Sequence, residues 1–176
     1  MTNQEQTTRK YDKPHRLSTF DYSSVCSYML TFDLQNKNQH LLSDIIYQGM
    51  YKPPMVRLKP YGEITEKYIK RIEKVYRGVL VDNYVIMPNH VHLLLTITHR
   101  DPEYEKPKGN NISRIASIVR STKNMVTREI GKSIWQKDFY DTIADTEEIF
   151  MRCDQYIDNN PAAWLEKHGE EPQYPK

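Results

Sequence analysis

The stretch YVIMPNHVHLLLTIT, residues 84–98, decides how this chain is read. His90 and His92 flank one bulky apolar residue inside a run of valines, leucines and isoleucines. That spacing belongs to a strand, whose side chains alternate between two faces. Both imidazoles then point the same way, with Cα atoms roughly 6–7 Å apart. Two long side chains can converge from there on a single divalent ion. Val91, Leu93, Leu95 and Ile97 fall on the other face, where they can be buried. Short motifs match often by accident, and an isolated H-x-H is equally well read as two satisfied histidines on a sheet surface. The surroundings have to decide.

Working outward, Val79–Met87 reads as a strand, Pro88-Asn89 as a turn, and His90–Thr98 as the antiparallel neighbour. Upstream, Ser27–Asp33 alternates Tyr28, Leu30 and Phe32 against Met29, Thr31 and Asp33, a strand pattern. Two short apolar stretches between Leu41 and Leu58 flank GMYKPP and predict an irregular hairpin. After a turn at Pro60-Tyr61-Gly62, the residues Ile64, Tyr68, Ile72, Val75 and Tyr76 recur at helical spacing and predict a helix over 63–77. Downstream, the charged Pro/Gly stretch 99–110 reads as a mobile loop, and Ile112–Ile130 as a second amphipathic helix. Its stripe is Ile115, Val119, Thr122, Val126 and Ile130.

Trp135–Ile143 reads as a last strand. Asp145 is then the expected N-cap of a terminal helix, with Glu148 as its capping partner. That helix, over 146–159, is expected to stop near Asn159-Asn160, because Pro161 disfavours helical geometry in the residue before it. The order is a βαββαβ core, an α+β ferredoxin-like antiparallel sheet with both core helices on one face. The face carrying His90 and His92 is left for a ligand or for the C-terminal helix. Residues 1–19 read as a flexible arm, 20–165 as the domain and 166–176 as an acidic tail.

Composition narrows the partners. No apolar run among the 176 residues reaches the ~18 needed to span a bilayer, and the N-terminus lacks a signal-like apolar stretch, so the expected compartment is the cytoplasm. Cys26 and Cys153 stand far apart in no metal-like spacing and read as small buried groups. The net charge of +2 hides an asymmetry: residues 146–176 carry three Lys/Arg against seven Asp/Glu, and the rest carries 22 against 16. A basic body with an acidic tail suits a nucleic-acid partner. Arg114, Arg120 and Lys123 on the second helix are candidate backbone contacts, and equally the solvated face of an amphipathic helix.

In the terminal helix Tyr156 and Asn160 stand four apart and share a face if the last turn persists. A tyrosine hydroxyl beside a cation can act as a nucleophile, and an amide oxygen can complete a His-His-Asn set around Mg²⁺ or Mn²⁺. By themselves, Tyr156 also reads as a core-edge residue and Asn160 as a helix cap before proline.

Three segments together, YVIMPNHVHLLL (84–95), WQKDFYDTI (135–143) and YIDNNPAAW (156–164), resemble the single-tyrosine HUH transposases, in the IS200-like, REP-associated tyrosine transposase branch. The resemblance covers roughly residues 20–165. It implies a ferredoxin-like core and the cutting and rejoining of single-stranded or hairpin DNA through a covalent 5′-phosphotyrosine. It implies Tyr156 as nucleophile, His90 and His92 as ligands of Mg²⁺ or Mn²⁺, and Asn160 as third ligand, in a monomer or a homodimer. Relatives often read Tyr-x-His-x-x-Arg where this chain has Tyr140-Asp141-Thr142-Ile143-Ala144-Asp145, so a basic residue beside the site is missing. A relative that binds hairpin DNA without cutting it is the alternative. An unrelated ferredoxin-like RNA-binding domain is weakened by the lack of an aromatic-rich strand motif of the common RNA-recognition type.

Overall fold

The computed structural model describes residues 24–101 and 113–169. The expected arm, most of the 99–110 loop and the tail beyond residue 169 lie outside the described residues. Among the described residues, six strands and four helices follow in the order β1 (Cys26–Asp33), β2 (Ser43–Ile46), β3 (Met55–Leu58), α1 (Pro60–Ile69), α2 (Ile72–Val75), β4 (Val79–Ile86), β5 (His90–Ile97), α3 (Arg114–Ile130), β6 (Tyr140–Ala144) and α4 (Glu147–His168).

The main sheet runs β4-β5-β1-β6, and every neighbouring pair is antiparallel. With the β2–β3 hairpin set aside as its own small sheet, this is the ferredoxin-like order expected from the sequence. Alternation along the two central strands feeds two separate cores. Tyr28, Leu30 and Phe32 of β1 join Val91, Leu93, Leu95 and Ile97 of β5 under α1 and α3. On the reverse face Leu94 meets Val85, Met87, Cys153 and Ile157, so α4 covers the side that also carries the histidines. The bland and the functional demands on β5 are met by opposite faces of one strand.

Helix α3 is held at both ends by local chemistry. The Ser113 side chain accepts from the Ala116 N–H at 3.3 Å, and Gly131 closes the helix in the left-handed region at φ 81°. The helix expected over 63–77 is divided into α1 and α2. Pro60 opens α1 because its missing N–H costs nothing in a first turn. Val75, which the helical stripe placed inside, is exposed.

Three further expectations are corrected. Trp135 makes only an isolated bridge to Leu34, with the Gln136 N–H still donating to the Asp33 carbonyl, and the ladder begins at Tyr140, because the carbonyls of Gln136 and Asp138 turn to α3. There the Lys123 ammonium donates to the carbonyls of Gln136 and Asp138 at 3.1 and 2.7 Å. The N-cap of α4 is Thr146, whose hydroxyl accepts from the Ile149 N–H at 3.3 Å, rather than Asp145. Most consequential, α4 does not stop before Pro161 but continues to His168. An internal proline costs a helix about 3 kcal/mol. Against that cost the extra two turns bury Pro161 and bring Trp164 onto the reverse-face core.

Candidate active site

His90 and His92 project from the start of β5 towards α4, with their Nε2 atoms 3.1 Å apart. Each ring is fixed by its other nitrogen. The Asn89 amide donates to the Lys37 carbonyl, which turns its oxygen to accept from His90 Nδ1–H at 2.7 Å. His90 therefore offers an Nε2 lone pair. His92 Nδ1 lies 2.7 Å from the Thr31 hydroxyl on β1, the residue paired with it across the sheet. A hydroxyl can donate or accept, so Thr31 supports either tautomer of His92. In one, His92 Nε2–H donates to His90; in the other, two lone pairs converge on one point, as a metal requires.

Burial pushes the His90 imidazole down to about 4, opposed by the charge of Asp33 and the Asn160 amide, while Lys37 adds to the lowering. Burial likewise pushes His92 down to about 3, helped by His90 and again opposed by Asn160. Both rings are thus neutral at physiological pH, the form that ligates metal. The Asn160 side-chain amide lies beside both rings. Its Nδ2 donates to the Tyr156 carbonyl at 3.0 Å. Tyr156 lies one turn earlier, half exposed, its ring edge-on to His92 with centroids 5.1 Å apart.

The four residues singled out in the sequence, His90, His92, Tyr156 and Asn160, are therefore brought together within one chain. The helical continuation adds two that the sequence reading missed. Trp164 sits 6.1 Å from His90 and 5.3 Å from His40 between ring centroids, and His168 stacks on Trp164 at 4.1 Å. Tyr156, Asn160, Trp164 and His168 recur every four residues and form one stripe along α4. That signal was legible, but only to a reading that carried the helix through Pro161. The supporting Thr31 and Asn89 had no signal of their own.

The basic candidates on α3 separate. Arg114 is buried at 1% exposure, its guanidinium donating to the carbonyls of His99 and Arg77, so it serves the fold rather than a surface. Arg120 is exposed and Lys123 buried, and both line a cavity of about 540 Å³ with Lys137, Trp135 and Phe139. This cavity lies between α3 and the segment leading into β6, against the face of the sheet opposite the histidines.

A four-stranded antiparallel sheet in this order, with a terminal helix over its second face, defines the fold of the chain. The same fold occurs in the REP-associated tyrosine transposase solved bound to a REP hairpin, with a TM-score of 0.62 over 91% of this chain and 77% of that one, at 17% identity. An uncharacterised protein of Haemophilus influenzae is 29% identical over 164 residues, covering 85% of this chain and 87% of its own length. No family model matches the chain. Among the described residues no helix is long and apolar enough to cross a membrane.

Proposed function

We propose that the chain is a transposase-like enzyme that nicks and rejoins single-stranded or hairpin DNA through a covalent 5′-phosphotyrosine at Tyr156. One observation carries this reading: two imidazoles with their Nε2 atoms 3.1 Å apart lie against a half-exposed tyrosine ring, 5.1 Å from His92 between centroids, on the helix that also carries Asn160. The fold shared with a transposase bound to a DNA hairpin supports the same substrate class. His90, His92 and Asn160 offer two nitrogens and one oxygen, a donor set suited to Mn²⁺ and acceptable to Mg²⁺ with retained water. When bound, such an ion draws charge from the non-bridging phosphate oxygens.

The chain's own residues do the rest. Tyr156 gives its proton to water and forms a bond from its oxygen to phosphorus, while the bond to the 3′ oxygen breaks and that oxygen takes a proton from water. The phosphodiester energy stays in the tyrosine ester, so a free 3′-hydroxyl can reverse the step without ATP. Asn160 ties the helix turn carrying Tyr156 to the rings, and Thr31 and Asn89 hold those rings in register. Because one chain contributes the whole set, a monomer suffices. Arg120, with Lys137 beside it, holds the DNA backbone without reading sequence; Arg114 and Lys123 are left out for their burial.

The test is a denaturant-resistant adduct. With a hairpin oligonucleotide and Mn²⁺, the wild-type protein should become covalently attached to DNA at Tyr156, mapped by mass spectrometry. Tyr156→Phe should abolish the adduct and leave affinity within about twofold, since only the attacking oxygen is removed. Attachment at any other tyrosine overturns the assignment, and binding with no adduct under any metal favours a hairpin-binding role without cleavage.

A further inference from the structure

Exposed apolar side chains scattered singly over a surface need no explanation, but a cluster of them does. Tyr47, Met50, Tyr51 and Met55 are 47, 67, 94 and 42% exposed, and all four lie on or beside the tip of the β2–β3 hairpin. The tip is shaped rather than frayed. Gly49 reverses the chain at φ 101°, a conformation other residues rarely adopt. Pro53 and Pro54 follow, stiffening the return and removing two N–H groups, so the tip is unsuited to pairing with another strand edge.

The root of this arm is fastened to the histidine site. The Ser43 hydroxyl donates to the Ile86 carbonyl at 2.7 Å, and the Leu42 N–H to that of Pro88 at 3.1 Å, immediately before His90. Lys59 donates to the His40 carbonyl at 2.8 Å, and Ile45 and Val56 pack into the same core as Trp164. An arm with an exposed apolar tip is therefore anchored at its root to the segment that leads into His90 and to the core that Trp164 joins.

Charge selects the occupant. Between Ser43 and Lys59 the hairpin carries Lys52, Arg57 and Lys59 against one carboxylate, Asp44, which pairs with the latter two. Lys52 stands exposed at the tip itself, between Tyr51 and the prolines. Methionine, an aromatic ring and a cation on a narrow arm are the equipment of a side-chain wedge, which enters between stacked bases while the cation meets the phosphates. On the reading that this chain acts on hairpin DNA, we propose that Met50 and Tyr51 insert at the foot of the stem. They unstack its last pair and direct the freed strand to Tyr156.

The test uses the full chain and a DNA hairpin with a single-stranded tail and 2-aminopurine in the closing pair of the stem. Wild-type protein should raise the 2-aminopurine fluorescence severalfold without added metal. Met50→Ser combined with Tyr51→Ala should abolish that rise and weaken hairpin binding about tenfold. Affinity for the same tail without a stem should stay within twofold, and the melting temperature should be unchanged. An equal rise with the variant, or equal weakening on the stemless strand, overturns the wedge. So does conversion of a dimer into a monomer in sedimentation, which would make the tip a subunit contact. A wild-type adduct at Tyr156 with silent 2-aminopurine sinks the wedge alone; a fluorescence rise without any adduct sinks the nicking chemistry alone.

Discussion

The two faces of β5 make different demands on the residues that occupy them. Val91, Leu93, Leu95 and Ile97 lie wholly buried under α1 and α3, among apolar neighbours that ask only for volume. His90 and His92, one residue out of phase, are held by named partners, Asn89 and Thr31. One face is secured by packing alone; the other adds hydrogen-bond geometry around the histidines to the smaller apolar core at Leu94. A strand separates stability from chemistry at no cost in length, because alternate residues never share a face.

Adjacent substitutions can break that contrast. His92→Ala should reduce metal-dependent cleavage at least 10³-fold, about 4 kcal/mol of barrier. It should change unfolding free energy by no more than about 1.5 kcal/mol, the scale of a lost hydrogen bond. Leu93→Ala should do the opposite. It should destabilise the fold by about 2–5 kcal/mol in urea titration while the folded fraction cleaves normally. If Leu93→Ala costs activity per folded molecule, or His92→Ala unfolds the protein, the two faces are not separable.

A smaller effect sharpens the same contrast at Thr31. Its neighbour Phe32 packs edge-on to Trp135 at 5.2 Å on the apolar face, while Thr31 itself holds His92. Thr31→Val keeps the shape and removes the hydroxyl, so His92 Nδ1 loses the partner that orients its ring. Mn²⁺ affinity measured by calorimetry should fall about 10- to 100-fold, and Thr31→Ser should recover most of it. Equal affinity in all three proteins would mean that the ring needs no orienting group.

How much of this was legible follows from the physics of each element. The ferredoxin-like order and the His-x-His face were readable because alternation is a local property that tertiary packing reinforced. Tyr156 and Asn160 were readable as a pair because four residues make one helical turn. Trp164 and His168 were not, because the local preference of the residue before Pro161 was overridden by burial of Pro161 and by packing of Trp164. Trp135 failed as a strand residue for a similar reason. Its segment looks β-like, yet the Lys123 ammonium claims the carbonyls of Gln136 and Asp138 before the ladder begins. Arg114 looked like a surface cation and proved to be an internal brace, a fate that its sequence neighbours do not signal.

The smallest predicted effect lies on the packed face, at an ammonium buried among apolar rings. Lys123 is 7% exposed, and burial pushes its amine down to about 8 although Asp138 and Asp33 pull the other way. In the unfolded chain the same amine titrates near 10.4. Between those values the unfolded state binds more protons, so this residue's contribution to stability improves as pH rises from about 8 to about 10.4. Below 8 the folded state bears the full cost of the buried charge, softened by the two carbonyls and by the rings of Phe32 and Phe139 at 5.8 and 6.0 Å. Lys67 and Lys70, whose amines are raised by Glu129 and Glu66, act in the opposite sense but are common to a variant and its parent. The informative quantity is therefore the difference in unfolding free energy between the wild type and Lys123→Met. Between pH 7 and 9.5 that difference should move in favour of the wild type by on the order of 1–2 kcal/mol. A flat difference would mean that the ammonium is solvated in the cavity it lines, and that this corner of the packed face behaves as surface.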